Sequence, residues 1–183
     1  SPGSSIKPLV VYTPAVEEGY DITDPLKDEK MSFGEYEPTN LSGEYKGEVP
    51  MYEAVMNSLN VPTVWLLNEI GIDKGLDSLE RFGIPYDKDD RNLSLALGGM
   101  RKGVSPLQMA GAFSAFANDG EREETHAIVR IENNDGKEVG AWKEKSTKVT
   151  SKSVVDKMNA MLLGTVEYGT AKNAAVSGYE IAG

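Results

Sequence analysis

A serine and a lysine near the start of the chain have the spacing of a nucleophile and its base. Ser4 and Lys7 stand three residues apart in the string SSIK. On a helix this spacing puts the hydroxyl and the amine on one face, about one turn apart. A neutral lysine can take the serine proton when burial or nearby positive charge lowers its pKa. Because roughly one Ser-x-x-Lys match is expected by chance here, a solvated first-turn lysine is the alternative interpretation.

A second hydroxyl and an amide occur in the string Ser58-Leu59-Asn60. The string lies at a break between two predicted helices, where both polar side chains could point into a cleft. It is also nearly a chance-level pattern. Serine and asparagine are preferred at helix N-termini, so the string taken alone favours a cap for a helix that starts at Val61.

Other polar clusters favour no chemistry. His126 is the only histidine and begins a predicted strand, which makes a surface or packing role the better interpretation than a Ser-His-Asp triad. The carboxylates of residues 87–92 lack the glycine and the twelfth-position glutamate of a calcium loop and predict a solvated acidic loop. Gly98-Gly99 lacks the lysine of a phosphate-binding loop. We expect no metal and no cofactor.

The composition predicts one folded unit over residues 1–183. Apolar residues make up 39% and charged residues 26%, close to globular averages. The net charge of −10 argues against a nucleic-acid partner, whose phosphates require Lys and Arg. The chain has no cysteine, which leaves the compartment open. No apolar run approaches the roughly 20 residues of a membrane span, so we expect any anchor to lie outside these residues.

Apolar periodicity and capping residues predict a largely helical chain. A helix is expected to begin at Ser4 or Ser5 and to end before Gly19, followed by an irregular connection over residues 20–50. Short helices should follow from Met51, ending at Gly71 and Gly83.

The second half of the chain contains the strongest helix signal. Ser105 as a cap and Pro106 in the first turn begin it, and its wide apolar stripe is expected in the core. The stripe comprises Leu107, Ala110, Ala112, Phe113 and Phe116. An Asn-Asp-Gly turn within 126–142 predicts a β-hairpin. A capped helix should follow within 151–169, and SGYEIAG at 177–183 could open one further strand.

The order of these strings resembles the transpeptidase domain of penicillin-binding proteins, particularly the bifunctional class A proteins that build cell-wall peptidoglycan. The resemblance covers nearly the whole chain, and the Ser-x-x-Lys and Ser-x-Asn elements belong to the known signature of this superfamily. The strings are PGSSIKP, YEPTN, EAVMNSLNVPTVWL, SLALGGMRKGVSPLQMAGAFSAFANDG and MLLGTVEYGTAKNAA.

The resemblance implies a role for each site residue. Ser4 would be the nucleophile, Lys7 its general base, Ser58 a proton relay to the leaving amine, and Asn60 a hydrogen-bond donor to the bound acyl group. The implied fold is α+β, a predominantly helical lobe with a small β-hairpin and most of the central sheet missing. The third family element, Lys-Thr-Gly on a strand, does not occur in the sequence.

That absence adds two expectations. Strands of the same domain that carry Lys-Thr-Gly should be a partner of these residues, and the 183 residues alone should show little acylation, because those strands supply part of the oxyanion hole. A non-catalytic lobe that only folds or binds a partner is therefore one alternative.

The implied activity is that of a serine-type D-alanyl-D-alanine transpeptidase. It would cross-link peptidoglycan stem peptides outside the cytoplasm in a bacterial, membrane-anchored parent protein and would be acylated by β-lactams. A β-lactamase or D-Ala carboxypeptidase of the same superfamily, in which water resolves the acyl-enzyme, is a further alternative. The sequence lacks an ExxLN-type segment after the second motif to position such a water.

Overall fold

The structure, a computed structural model, describes residues 1–143 and 145–183. Its first helical stretch combines three kinds of turn. A 3₁₀ helix at Gly3–Ile6 is followed by a π-helical segment at Pro8–Tyr12 and by α1 at Thr13–Glu17. The backbone N–H of Thr13 donates to the carbonyl of Pro8, which is the wide i to i+5 bond of a π turn. The stretch begins one residue earlier than the sequence predicts.

This first stretch is the central element of the core. Every residue from 6 to 16 is buried, Lys7 included. A helix that is apolar all round requires neighbours on every side. Two other helices, α3 at Val61–Ile70 and α4 at Ile72–Arg81, pack against the stretch. The turn that carries Ser4 and Lys7 is therefore fixed relative to the core.

The predicted helices are confirmed, and local capping explains several of their ends. The Ser105 hydroxyl accepts from the N–H of Gln108 while the Gln108 side chain accepts from the N–H of Ser105, a reciprocal capping box. Ser151 caps the last long helix by accepting from the N–H of Val154. The helix capped by Ser105 is α5 at Pro106–Ala117, and the helix capped by Ser151 is α6 at Lys152–Glu167. The other helices are α2 at Met51–Met56 and 3₁₀ helices at Lys88–Asp90, Leu93–Leu97 and Lys172–Ala174.

One prediction for residues 20–50 is wrong, because this connection contains two paired strands. Strands β1 at Pro25–Asp28 and β2 at Gly47–Pro50 pair antiparallel, with Leu26 opposite Val49. Both of these side chains are buried. Four-residue strands with proline at an end carry too little alternation to be recognised from sequence.

The strands of the second half are short and antiparallel. β4 at Arg130–Glu132 and β5 at Glu138–Ala141 form the predicted hairpin around the Asn-Asp-Gly turn. A further pair, β3 at Glu121–Glu123 with β6 at Ser146–Lys148, was not predicted. Residues 177–183 form no strand, so the expectation of one there is wrong. Each sheet of the described residues has two strands, consistent with a predominantly helical α+β lobe.

Helix α5 buries only part of its apolar stripe. Ala112 and Phe116 are buried, and the Phe116 ring lies 5.4 Å from the Phe82 ring. Leu107 is 61% exposed and Ala110 is also exposed, which corrects the expectation that the whole stripe lies in the core. Of the helices described, none combines the length and apolar character needed to cross a membrane.

Candidate active site

The amine of Lys7 joins the two short motifs. Its side chain is 2% exposed, and Nζ donates to the carbonyl of Ser58 at 2.7 Å and to Oδ1 of Asn60 at 2.8 Å. The Ser58 hydroxyl and the Leu59 carbonyl each lie 3.2 Å from the same nitrogen. An amine carries at most three hydrogens, so these four oxygens share them. The structure thus places the Ser58-Leu59-Asn60 turn directly on the lysine.

Ser4 lies on the 3₁₀ helix one turn before Lys7. Lys7 follows directly after this helix, so the three-residue spacing puts the two side chains on one side of the helical stretch. Ser4 is exposed and lines the same cavity as Lys7 and Ser58. Its hydroxyl makes no hydrogen bond to any residue that the structure describes.

Burial makes Lys7 a candidate base. Desolvation lowers its pKa from the usual 10.5 to about 8. Within residues 1–143 and 145–183 no carboxylate lies at ion-pair distance from it, and its hydrogen-bond acceptors are neutral oxygens. About one-tenth of the lysine is then neutral at pH 7. A neutral amine at this position has a lone pair that can take a proton from a neighbouring hydroxyl.

Ser58 has an unusual backbone conformation. Its φ of 51° lies in the left-handed region, which a residue with a Cβ adopts only at a cost. This conformation ends α2 and allows both the carbonyl and the hydroxyl of Ser58 to contact Lys7. Backbone strain of this kind concentrates at functional sites.

The interpretation of Ser58-Leu59-Asn60 as a helix cap is wrong. Asn60 occupies the N-cap position of α3, but its side chain makes no capping hydrogen bond. Instead, Oδ1 of Asn40 accepts from the backbone N–H of Asn60 at 2.9 Å and of Val61 at 3.1 Å. The Asn60 side chain is left to contact Lys7 through Oδ1 and the Thr39 carbonyl through Nδ2.

A buried hydroxyl pair supports the same turn from inside the core. The Thr63 hydroxyl donates to the Leu59 carbonyl at 2.5 Å, so the Tyr12 hydroxyl, 2.6 Å away, must be the donor to Thr63. Burial raises the pKa of Tyr12 far above its usual value and keeps it a neutral donor. Sequence reasoning missed both residues, because each fits an ordinary apolar helix face.

A glycine loop packs against the 3₁₀ turn that carries Ser4, the candidate nucleophile turn. A Cβ on Gly98 would lie 2.6 Å from the backbone of Gly3, and Gly98 has a φ of +82°. The Ser1 hydroxyl donates to the Gly98 carbonyl at 2.7 Å. The sequence pattern showed only that Gly98-Gly99 is not a phosphate loop; its close approach to Gly3 depends on tertiary packing.

The cavity beside Ser4 has a volume of about 440 Å³. Ser4, Lys7 and Ser58 form a polar wall, and the other walls are mainly apolar. The apolar walls include Met109, Ala110 and Phe113 of α5 and Leu162 of α6. The part of the exposed side of α5 around Ala110 is therefore a wall of this cavity.

The other polar candidates lie elsewhere. His126 stacks on the Trp142 ring at 4.6 Å outside any strand, in keeping with a packing role. Asp90, within the predicted solvated loop at 87–92, is only 2% exposed and accepts from two backbone amides, one of them that of Arg101. The prediction of a solvated loop is therefore wrong for Asp90, which is a structural carboxylate.

Comparisons with known proteins place the chain in a family. A family model described as penicillin binding protein transpeptidase domain matches residues 1–183. Penicillin-binding protein 2a of Streptococcus pneumoniae is 45% identical over 184 residues, covering 100% of this chain and 25% of that protein. Penicillin-binding protein 1F of Bacillus subtilis is 45% identical over 97% of this chain and 25% of its own length. The chain thus spans about a quarter of the length of these curated relatives.

Solved structures share the fold. The D,D-transpeptidase domain of a peptidoglycan glycosyltransferase from Eggerthella lenta matches with a TM-score of 0.82 at 22% identity, over 98% of this chain and 52% of that one. Penicillin-binding protein 1A from Haemophilus influenzae matches with a TM-score of 0.80 at 23% identity, over 99% of this chain and 31% of that one. By sequence and by fold, the chain belongs to the transpeptidase domain family of the penicillin-binding proteins.

Proposed function

We propose that these residues supply the nucleophile wall of a serine-type D-alanyl-D-alanine transpeptidase, which cross-links peptidoglycan stem peptides and is acylated by β-lactams. The observation that carries the proposal is the buried Lys7 amine, hydrogen-bonded to Ser58 and Asn60 and lining one cavity with Ser4. Membership of the penicillin-binding family supports the same assignment.

In the proposed first step, Oγ of Ser4 attacks the carbonyl carbon of the penultimate D-alanine. The hydroxyl proton passes to the neutral Lys7 amine, and the peptide bond to the terminal D-alanine breaks. The Ser58 hydroxyl, 3.2 Å from Nζ of Lys7, relays that proton to the departing amine. The products of this step are an ester on Ser4 and free D-alanine.

In the second step an amine of a neighbouring stem peptide attacks the ester carbonyl. A new amide bond forms, the ester bond to Ser4 breaks, and the serine oxygen regains a proton from the attacking amine through Lys7. A β-lactam would enter through the same attack. Opening of its ring leaves the departing nitrogen attached to the acyl group, so no leaving group makes way for the acceptor amine.

Asn60 is proposed to hold the acyl group. One hydrogen of its Nδ2 donates to the Thr39 carbonyl at 2.9 Å, and its Oδ1 is held by Lys7. An amide nitrogen carries two hydrogens, so the second can donate to a substrate carbonyl.

Further strands of the same domain that carry Lys-Thr-Gly are proposed as partners of residues 1–183, which we take to be one folding unit. The apolar cavity wall formed by Met109, Phe113 and Leu162 supports this proposal, because it offers a surface on which strands can pack. Those strands would supply oxyanion donors and carboxylate contacts. The proposed reaction takes place outside the cytoplasm, in a protein anchored to the membrane by a segment beyond these residues.

The test is covalent labelling of the full-length protein that contains these residues. Fluorescent penicillin followed by peptide mass spectrometry should place the acyl group on Ser4. Ser4→Ala should abolish labelling, whereas Ser5→Ala, a matched control whose hydroxyl donates only to the Pro2 carbonyl, should leave it intact. Labelling on Ser5, or unchanged labelling of Ser4→Ala, would refute the nucleophile assignment, and no labelling of wild type would favour a non-catalytic lobe.

A second assay identifies the acceptor. A stem peptide ending in D-Ala-D-Ala is incubated with the full-length protein and an excess of an amine-bearing stem peptide. The masses of the products are then measured by mass spectrometry. A cross-linked peptide is the expected product. A product shortened by one D-alanine and never cross-linked would identify a carboxypeptidase instead.

A further inference from the structure

The cap of helix α3 is supplied by a residue from outside the helix. Oδ1 of Asn40, a 4% exposed side chain in the loop before β2, accepts from the N–H groups of Asn60 and Val61. A helix start leaves its first four N–H groups without partners inside the helix. Asn40 supplies the acceptor for two of them, whereas Asn60, a favoured cap residue, makes no capping hydrogen bond with its side chain.

The Asn40 amide is fixed at both ends. Its Nδ2 donates to Oδ1 of Asp28 at 2.6 Å and to the Glu44 carbonyl at 2.9 Å. With two bonds donated and two accepted, the amide uses its full hydrogen-bonding capacity. A flipped amide would bring its NH₂ against the N–H groups of α3, so only one orientation satisfies all four partners.

Asp28 is an uncommon partner for this amide. It is fully buried on β1, and its second oxygen accepts from the backbone N–H of Lys46 at 3.0 Å. In the described part of the chain no cation lies at ion-pair distance from it. A carboxyl group without a cation is costly to bury, so its hydrogen bonds must be well formed. The geometry fixed here is that of Asn40.

Asn40 holds the backbone from which the Asn60 amide reaches Lys7. Oδ1 of Asn40 accepts from the N–H of Asn60 itself, and Oδ1 of Asn60 in turn accepts from Nζ of Lys7. If Asn40 lost its oxygen, the N–H groups of Asn60 and Val61 would lose their acceptor and the start of α3 would be free to shift. A shift of the Asn60 backbone would carry its amide away from Lys7.

We propose that Asn40, held by Asp28, is a positioning residue that keeps the Asn60 amide on Lys7 and so keeps the Ser58 hydroxyl in place for proton relay. The effect of Asn40 on catalysis rests on the proposed function, because it is measured as acylation of Ser4. The effect of Asn40 on the direction of the Asn60 side chain does not rest on the proposed function.

The first test uses Asn40→Ala in the full-length protein. The rate of acylation by fluorescent penicillin should fall about a hundredfold, the scale of a displacement of about 1 Å in a reacting group. Asp90→Asn is the matched control, because Asp90 is also a buried carboxylate that accepts from two backbone amides but makes no contact with the Lys7 turn. Its acylation rate should stay within about threefold of wild type. Equal losses in both variants would overturn the positioning role.

Rescue by exchange gives a test that a merely structural role would not pass. Asn40→Asp keeps the acceptor for α3 but faces Asp28 with a second carboxyl group. Adding Asp28→Asn restores a hydrogen bond between positions 28 and 40, which is now donated by position 28 and accepted by position 40. The double variant should label about tenfold faster than Asn40→Asp alone, the size of coupling expected for side chains in contact. Additive losses would overturn the proposal, even if Asn40→Ala does not fold.

The structural readout separates this inference from the proposed function. In a crystal structure of Asn40→Ala, or of Asn40→Leu if the alanine variant does not fold, the Asn60 amide should lie away from Nζ of Lys7. This result supports the positioning role even if wild type is not acylated, in which case only the proposed function fails. An Asn60 amide that remains on Lys7 in the variant overturns the role, whatever the labelling shows.

Discussion

Lys7 and Asn60 are joined by a 2.8 Å hydrogen bond across 53 residues of sequence. The bond connects a helix turn at the start of the chain with the turn between α2 and α3, so the two short motifs form one unit. Neither motif is informative alone. Together with the burial of the lysine, which lowers its pKa by desolvation, they place a candidate base in contact with Ser58 and Asn60.

Replacement of Lys7 tests the base directly. Lys7→Met keeps the length and the apolar stem of the side chain but removes the proton acceptor, so acylation of Ser4 in the full-length protein should fall by about 10² to 10⁴. Lys74→Met is the matched control, since Lys74 is exposed and pairs with Glu18 at the surface. Rates of fluorescent penicillin labelling measure both. A Lys7→Met rate equal to that of Lys74→Met would exclude Lys7 as the base.

The pH dependence of acylation follows from the same lysine. Only neutral Lys7 can accept the serine proton, and its pKa is lowered to about 8. The labelling rate should therefore rise about tenfold per pH unit below pH 8 and level off above it. Initial rates between pH 6 and pH 9.5 measure the profile. A rate that continues to rise to pH 9.5 would indicate an unshifted lysine, and a flat profile would indicate another base.

The sequence predicted the local part of the site. Ser4 and Lys7 lie one turn apart on one helical stretch, and the break at Ser58-Leu59-Asn60 follows from local patterns, so both of these features could be predicted. The residues that hold the Ser58-Leu59-Asn60 turn in place could not be predicted. Asn40 caps a helix that begins about 20 residues later, and Asp28 reaches Asn40 only because β1 pairs with β2. Such contacts depend on tertiary packing, which periodicity does not encode.

Sequence periodicity is limited in the same way when it is used to predict which face of a helix is buried. Periodicity identified the apolar stripe of α5 but not which part of it meets other elements. Phe116 packs on Phe82, whereas Ala110, only six positions earlier, lies on the cavity. A stripe on one helix becomes core only where a second element covers it.

The Tyr12–Thr63 pair should affect stability more than chemistry. Tyr12→Phe removes one buried hydrogen bond, which should cost about 1 kcal/mol in the free energy of unfolding. Thr63 keeps its bond to the Leu59 carbonyl, so acylation should change less than about twofold. Thr63→Val, similar in shape, removes both bonds and should both destabilise the fold and slow acylation. Urea unfolding and penicillin labelling give the two quantities. A larger acylation loss in Tyr12→Phe than in Thr63→Val would contradict this order.

Gly98 should control the position of the nucleophile turn. In Gly98→Ala the new Cβ would lie 2.6 Å from the backbone N and O of Gly3, so the turn that carries Ser4 must shift. A positive φ adds a further cost of about 1 kcal/mol for any residue with a Cβ. Gly136→Ala in the β4–β5 turn is the matched control, because it has a φ of +78° but no atom of the described residues within 4 Å of the new Cβ. This variant therefore has the conformational cost of a positive φ without a steric clash.

The two alanine variants should therefore separate the effect of backbone strain from the effect of moving the turn that carries Ser4. Gly136→Ala should lower the free energy of unfolding by about 1 kcal/mol and leave Ser4 acylation unchanged. Gly98→Ala should be destabilised further and should acylate at least about tenfold more slowly, because displacement of a nucleophile by about 1 Å can cost a factor of a hundred. The rates are compared at a temperature where both variants are folded. If they label equally fast, the nucleophile turn tolerates the shift, and the close approach of Gly98 to Gly3 does not position Ser4.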